Sequence, residues 1–249
     1  MTTPDDGAAR SPRVPFDRIG VAVLRELVES IVTGQFAPGD LLPPEGALST
    51  DFGVSRTVIR ESVKRLQEKG MVTVAQGRGT HVNPIASWNL LDPLVLSTLI
   101  LHDDTLGILD DLSVVREALE AVMAGAAATH RTDAAVAELR DSVVQMRNAI
   151  GDPDAFRTAD VEFHHSVMRL SQNVLAENIA GSLFDHANES TRYRGVNPED
   201  AYEAAVSEHE RVVEAIDVGD AVAAQRAMEE HIRVSWERRR LPSPRASGR

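Results

Sequence analysis

The 249-residue chain contains no cysteine. Disulfide bridges and thiolate metal sites are therefore excluded, and a reducing compartment fits. Aromatic residues are scarce, at 4%. The core must then be built from Leu, Val, Ile and Ala, a composition that leans towards helices. No apolar run reaches the roughly 18 residues that a membrane helix requires. The opening "MTTPDDGAAR" lacks the basic-then-apolar order of a signal peptide. A cytoplasmic protein without a membrane partner is expected. Positive charge is also in short supply, the net charge being −12.

That deficit is unevenly spread. Through residue 85, ten Lys/Arg balance ten Asp/Glu, and the remainder carries sixteen against twenty-eight. Between Ser55 and Thr80 six basic residues face only two acidic ones. Such asymmetry suggests a nucleic-acid face on the first part and a solvated, acidic second part.

Residues 1–15, rich in Pro, Asp, Gly, Ala and Arg, read as a disordered arm. Apolar residues at helical spacing predict a helix over 17–33, and a second, short helix is expected over 45–51. Gly53 then supplies a turn, and Ser55 caps a third helix ending near Gly70. Val72, Val74 and Val82 around "QGRG" predict two short strands, a wing. Residues 84–92 read as a linker. From 93 to 238 every segment looks helical, with breaks at Asp103–Asp104, Thr132–Asp133, Gly151–Pro153, Asn173, Gly195–Pro198 and Gly219–Asp220. Six or seven helices in an antiparallel bundle are expected there, followed by a disordered tail over 239–249. The fold class is therefore mainly α: a winged helix-turn-helix domain over 16–83 and an all-α bundle.

The third helix, "SRTVIRESVKRLQEKG", carries a basic stripe. Arg56, Arg60 and Lys64 are spaced four apart and share a face, while Val58, Ile59, Val63 and Leu66 fall mostly on the other. Ser55, Arg56, Thr57, Arg60 and Lys64 thus form a polar face able to meet guanine edges and phosphates. Arg78, between Gly77 and Gly79, can approach a duplex closely because glycine removes side-chain bulk. A plain solvated helix face would carry similar charges. The coincidence with helix-turn-helix spacing, a wing and an acidic remainder points to DNA.

In the second half, "RTADVEFHHSVMRL" places Asp160 and His164 four apart on one helix face. His209 lies ten residues before Gly219 and His231 twelve after it. If a hairpin turns at Gly219–Asp220, both imidazoles reach a similar height at about 1.5 Å per residue. Three imidazoles and a carboxylate then converge, a set suited to a divalent ion such as Zn²⁺, Ni²⁺ or Mn²⁺. His165, about 100° round the helix from His164, reads as packing or solvent. His102, His130 and His186 have no comparable spacing. Arg116 stands on a helix that otherwise looks core-facing; it either pairs with Glu117 or Glu120, or faces an anionic ligand.

The stretch "GQFAPGDLLPPEGALSTDFGVSRTVIRESVKRLQEKGMVTVAQGRGTHV" resembles the winged helix-turn-helix domain of the GntR family of bacterial transcription regulators. The resemblance implies DNA contacts from Ser55, Arg56, Thr57, Arg60, Gln76, Gly77 and Arg78. Gly46 departs from it, because some relatives carry arginine there and one contact is then missing. Residues 93–238 resemble the all-helical FCD effector domain of the FadR-type branch, through "DVEFH", "SEHERVVEAIDVGDA" and "AMEEHI". That resemblance implies a metal on Asp160, His164, His209 and His231 and an effector carboxylate at Arg116; zinc is the first choice of ion, and Arg192 and Arg194 in "STRYRG" are weaker effector candidates, read from the sequence alone. The linker "WNLLDPLVL" is similar to a stretch of galactonate-responsive repressors, although Leu94 stands where those carry Asp or another residue. This favours a sugar acid over other small hydroxy- or dicarboxylates.

The expectation is a homodimeric regulator, a repressor that binds double-stranded operator DNA and is released by a small carboxylate. A metal-sensing regulator is the alternative. A metal-dependent hydrolase is a remote one: no H-E-x-x-H occurs, and no further Glu stands at general-base spacing.

Overall fold

A computed structural model describes residues 16–190 and 201–240. The arm 1–15, the Gly195–Pro198 break, Arg192, Arg194 and residues 241–249 lie outside them. The chain divides into two compact units, residues 1–98 and 99–249.

The first unit begins with α1 (Phe16–Val32), followed by α2 (Glu45–Asp51) and α3 (Arg56–Glu68). Leu24, Leu27, Val28 and Ile31 of α1 are buried together with Leu48, Ile59, Val63 and Leu66. This is the packing that the 3.6-residue spacing dictates. Strands β1 (Val72–Ala75) and β2 (Gly79–Val82) pair antiparallel, with Val72 opposite Val82 and Ala75 opposite Gly79. A bridge from Leu41 to His81 extends the wing by one residue pair.

Residues 84–92, expected as a plain linker, are folded against this unit. A 3₁₀ turn spans Ile85–Ser87, Trp88 is buried, and its Nε1–H donates to the Asn83 carbonyl at 2.9 Å. Lys69 pairs with Asp92, and the Asn89 amide donates to the Lys69 carbonyl at 2.8 Å. Gly70 permits this docking. Its φ is 71°, and a Cβ there would lie 2.1 Å from the Ser87 carbonyl oxygen.

Helix α4 (Pro93–His102) crosses the division between the units. The second unit contains α5 (Gly107–His130), α6 (Asp133–Asn148), α7 (Pro153–Leu170), α8 (Val174–Glu189), α9 (Ala201–Val218) and α10 (Ala221–Arg239). Four of these begin at a polar cap that accepts a backbone amide: Thr132 from Ala135, Asp152 from Ala155, Asn173 from Ala176 and Asp220 from Ala223. Each cap satisfies a donor that the helix leaves unpaired. With few aromatics available, α5 buries Ala121, Ala124, Ala127 and Ala128. Gly125 brings α5 against α10, since a Cβ there would already stand 3.0 Å from the Ala221 carbonyl oxygen. Leu139, Met146, Phe163, Val212, Ile216, Met228 and Ile232 complete the core. No described helix is long and apolar enough to cross a membrane.

Candidate functional site

In the first unit the Ser55 hydroxyl oxygen accepts the Val58 amide and so fixes the start of α3. Burial of Val58, Ile59, Val63 and Leu66 turns Arg56, Thr57, Arg60 and Lys64 outward. Gln76, Gly77 and Arg78 form the wing tip, closed by the Arg78 amide donating to the Ala75 carbonyl at 2.9 Å. All eight residues singled out from the sequence for DNA contact are solvent-exposed. Two details could not be read in advance. Arg60 forks onto Glu45, at the start of α2, with Nη2 2.8 Å from Oε2. That hydrogen-bonded pair lowers the Glu45 carboxyl below its ordinary pKa. In addition, the Arg56 guanidinium lies 3.4 Å from where a Cβ on Gly46 would stand, so the missing side chain leaves room that Arg56 uses.

In the second unit α7 presents Asp160 and His164 one turn apart, α9 presents His209, and α10 presents His231. One ligand atom from each of these four buried residues lies within 4.8 Å of the others. His231 Nε2 is 3.3 Å from His164 Nε2, and His209 Nε2 is 3.2 Å from Asp160 Oδ1.

The outer hydrogen bonds determine what those atoms can do. His164 Nδ1–H donates to Glu120 Oε2 at 2.6 Å, His231 Nδ1–H to Glu208 Oε2 at 3.0 Å, and His209 Nδ1–H to the Ala205 carbonyl at 2.7 Å. Each ring nitrogen facing an acceptor must carry the proton, which leaves a lone pair on every Nε2. The short Nε2–Nε2 approach of His164 and His231 therefore sets two acceptors against each other. His209 Nε2, fully buried, has no hydrogen-bond partner among the described residues. The nearby Asp160 oxygen is another acceptor.

Ionisation agrees with this picture. Burial lowers the pKa of His164 and pushes that of His231 down to about 3, so both rings stay neutral. The Asp160 carboxyl lies below its usual range despite the upward pull of burial, so it stands among the rings as a carboxylate. Three lone-pair nitrogens and a carboxylate oxygen converging without a donor are a group that could hold a cation. The donor set fits a divalent transition metal, and the carboxylate–imidazole couples match the outer shell of such centres.

Asp160 also lines a cavity of about 280 Å³, together with Arg157, Tyr202, Ser235, Arg238 and Arg239. Given about 30 Å³ per water in the liquid, this is room for a molecule of on the order of ten non-hydrogen atoms. Arg157 Nη2 donates to Asp154 at 2.8 Å, Arg239 reaches Ser235, and Arg238 forks onto Glu208 at 2.6 and 2.7 Å.

Arg116, expected to face an effector, does not line this cavity. It is only 4% exposed, its Nε donates to Glu120 Oε1 at 2.6 Å, and its guanidinium lies over the Phe184 ring at 4.0 Å. A guanidinium this deeply buried requires a counter-charge, and the residue one turn along α5 supplies it. Of the two readings left open by the sequence, the structure displays the pairing with Glu120. His165 meets Asp185 at 2.9 Å, apart from the quartet. Sequence reasoning missed Glu208, Arg157, Arg238 and Arg239, and saw Glu120 only as a partner for Arg116. The available signal was weak: Arg157 falls one turn before Asp160, and Arg238 two turns after His231.

Comparison with known proteins agrees with this architecture. Residues 20–82 match the bacterial regulatory proteins of the gntR family, and residues 111–234 match the FCD domain. The chain is 30% identical over 220 residues to the HTH-type transcriptional regulator YieP of Escherichia coli, spanning 86% of this chain and 93% of that protein. It is 28% identical over 201 residues to the galactonate operon transcriptional repressor of Escherichia coli, spanning 81% of this chain and 88% of the repressor. The solved structure of Lar, which controls the expression of the Listeria monocytogenes agr system, superposes with a TM-score of 0.57 at 16% identity, over 92% of this chain and 98% of that one. That last likeness concerns the fold alone. The matched domains and relatives are transcription regulators, not enzymes. The chain therefore belongs to the gntR family of bacterial transcription regulators, with a helix-turn-helix domain followed by an FCD domain.

Proposed function

We propose that this protein is a cytoplasmic, homodimeric repressor released from operator DNA by a small carboxylate. The observation that carries the reading is the convergence of four buried acceptor atoms beside an arginine-lined cavity. Asp160, His164, His209 and His231 would hold a divalent metal, zinc first, with Ni²⁺ or Mn²⁺ as the other suited ions. When bound, the metal supplies a positive centre that attracts carboxylate and hydroxyl oxygens. Arg157, Arg238 and Arg239 then orient the acid in a cavity of about 280 Å³, a volume that suits a small molecule. A sugar acid is favoured, supported by the linker resemblance and by the similarity to a galactonate operon repressor.

In the first unit Ser55, Arg56, Thr57, Arg60, Lys64, Gln76, Gly77 and Arg78 are assigned to the duplex. Paired heads on paired half-sites require a dimer. An acid releases DNA only if it binds the DNA-free form more tightly.

The test is fluorescence anisotropy of the protein on its own upstream DNA, with and without D-galactonate. Binding at low salt and release by the acid support the reading. No binding at low salt counts decisively against it. Since the donor set alone is complete enough to hold an ion, a metal-sensing regulator is the second reading. It is favoured if metal alone switches DNA binding, and opposed if metal stays bound while the acid does the switching.

A further inference from the structure

The cavity and the quartet share a residue that belongs to neither. Glu208 is buried on α9, one position before His209. Its Oε2 accepts His231 Nδ1–H at 3.0 Å and Arg238 Nη2 at 2.7 Å, while its Oε1 accepts Arg238 Nη1 at 2.6 Å. One carboxylate thus fixes the ring whose other nitrogen points into the quartet, and also the guanidinium that lines the cavity. The second carboxylate–imidazole couple, Glu120 with His164, ends on buried Arg116, which does not line the cavity. The two couples are alike in chemistry and differ in where they lead.

We propose that Glu208 is a positioning residue shared by the metal quartet and the acid cavity, so that metal and a small carboxylate anion bind with positive linkage through Arg238. This rests on the metal-and-acid reading above. The physical route is a chain of charge-assisted hydrogen bonds, each of which polarises the next. A cation on His231 Nε2 makes Nδ1–H more acidic and draws Glu208 towards it, holding the guanidinium in one orientation. An anion drawing on Arg238 takes positive charge from the other side of Glu208. The carboxylate then becomes a stronger acceptor for Nδ1–H, and the imidazole a better metal ligand. Linkage is reciprocal, so each ligand tightens the other by the same factor. Arg238 keeps N–H groups beyond those used on Glu208, so the anion can engage it without dismantling the fork.

The experiment uses full-length protein and Co²⁺, whose visible absorption reports its coordination. The Co²⁺ affinity is measured alone, with D-galactonate and with malonate, for the unaltered protein and for Glu208→Gln, Glu208→Asp and Arg238→Gln. The unaltered protein is expected to bind Co²⁺ at least about fivefold more tightly with one of the two acids present, the lower end of ordinary couplings. Glu208→Gln is expected to lose about ten- to a hundredfold in Co²⁺ affinity, as outer-shell changes do, to alter the absorption band, and to abolish the tightening. Glu208→Asp should restore part of both.

Arg238→Gln is the discriminating variant: without the guanidinium, Glu208 is a stronger acceptor for His231 Nδ1–H, so Co²⁺ affinity without acid is expected to rise, and the further tightening by acid disappears. It also keeps the proposal falsifiable should the Glu208 variants fail to fold. Absence of Co²⁺ binding by the unaltered protein overturns the metal reading and this proposal together. Tightening that persists in Arg238→Gln, or that neither acid produces in the unaltered protein, overturns the linkage while leaving the metal reading intact.

Discussion

Glu120→Gln removes one negative charge and almost no volume from the second unit. Glu120 is 1% exposed, and its two oxygens serve Arg116 Nε and His164 Nδ1, each at 2.6 Å. Burial alone would raise its pKa, but the Arg116 and His164 contacts hold it down to about 2, so the residue is a carboxylate at neutral pH. An amide has one oxygen and one NH₂. If the oxygen keeps Arg116, the NH₂ faces His164 Nδ1, and the ring must move its proton to Nε2, the atom needed for a metal. Loss of such an outer partner weakens metal binding about ten- to a hundredfold, or about 1.4–2.7 kcal/mol. Arg116 meanwhile keeps its charge without the buried carboxylate, and breaking a buried pair costs about 3–5 kcal/mol. For a chain of this size that corresponds to a fall in Tm of about 6–20 °C. Two measurements check this: competition for Zn²⁺ against a chromophoric chelator, and thermal unfolding with and without EDTA. A Glu120→Gln protein within twofold of the unaltered affinity and 2 °C of its Tm would refute the reasoning.

Further outcomes follow from other sites. Gly70→Ala forces a Cβ to 2.1 Å from the Ser87 carbonyl at a left-handed φ; about 1–3 kcal/mol of destabilisation is expected in chemical denaturation, and an unchanged midpoint would contradict the docking of residues 84–92. Glu45→Gln releases Arg60 from its ion pair; binding to DNA should tighten at low salt and the salt slope steepen by about one, whereas weaker binding would mean that the pair orients Arg60 for the duplex. The metal-free protein should lose stability as the pH falls through the unfolded histidine value of about 6.5. Burial lowers His231 to about 3 in the fold, so the unfolded chain takes the proton first. Stability is full above the unfolded value and falls by about 1.4 kcal/mol at about pH 5.5 from His231 alone. Urea titrations of EDTA-treated protein that stay flat between neutral pH and about 5.5 would oppose the buried, neutral ring.

What the sequence reveals is what local rules determine. The caps Ser55, Asn173 and Asp220 stand at helix starts because their side chains accept amides nearby in the chain. The hairpin at Gly219 places His209 and His231 with ring centroids 4.1 Å apart, because nearly equal distances from one turn give similar heights. Contacts between distant segments were not legible. Glu120 lies 44 residues before His164, and Glu208 lies 30 before Arg238, with no periodicity connecting them. Arg116 can meet Glu120, one turn along the same helix, at any rotation of α5, but whether the pair faces a cavity or the core depends on that rotation. Gly125 and the alanines of α5 set that rotation by packing against α10. The fold of residues 84–92 onto the first unit likewise depends on Trp88 and Gly70, which carry no helical or strand pattern.

The most direct measurement is the metal content of the purified protein, by elemental analysis after exposure to Zn²⁺, Ni²⁺ and Mn²⁺ followed by desalting, beside His209→Ala. One divalent ion per chain is expected in the unaltered protein, lost or greatly weakened when the unpartnered His209 Nε2 is removed. A chain that retains none of these ions, or a His209→Ala protein that holds its ion equally well, contradicts the assignment of the quartet as a metal centre.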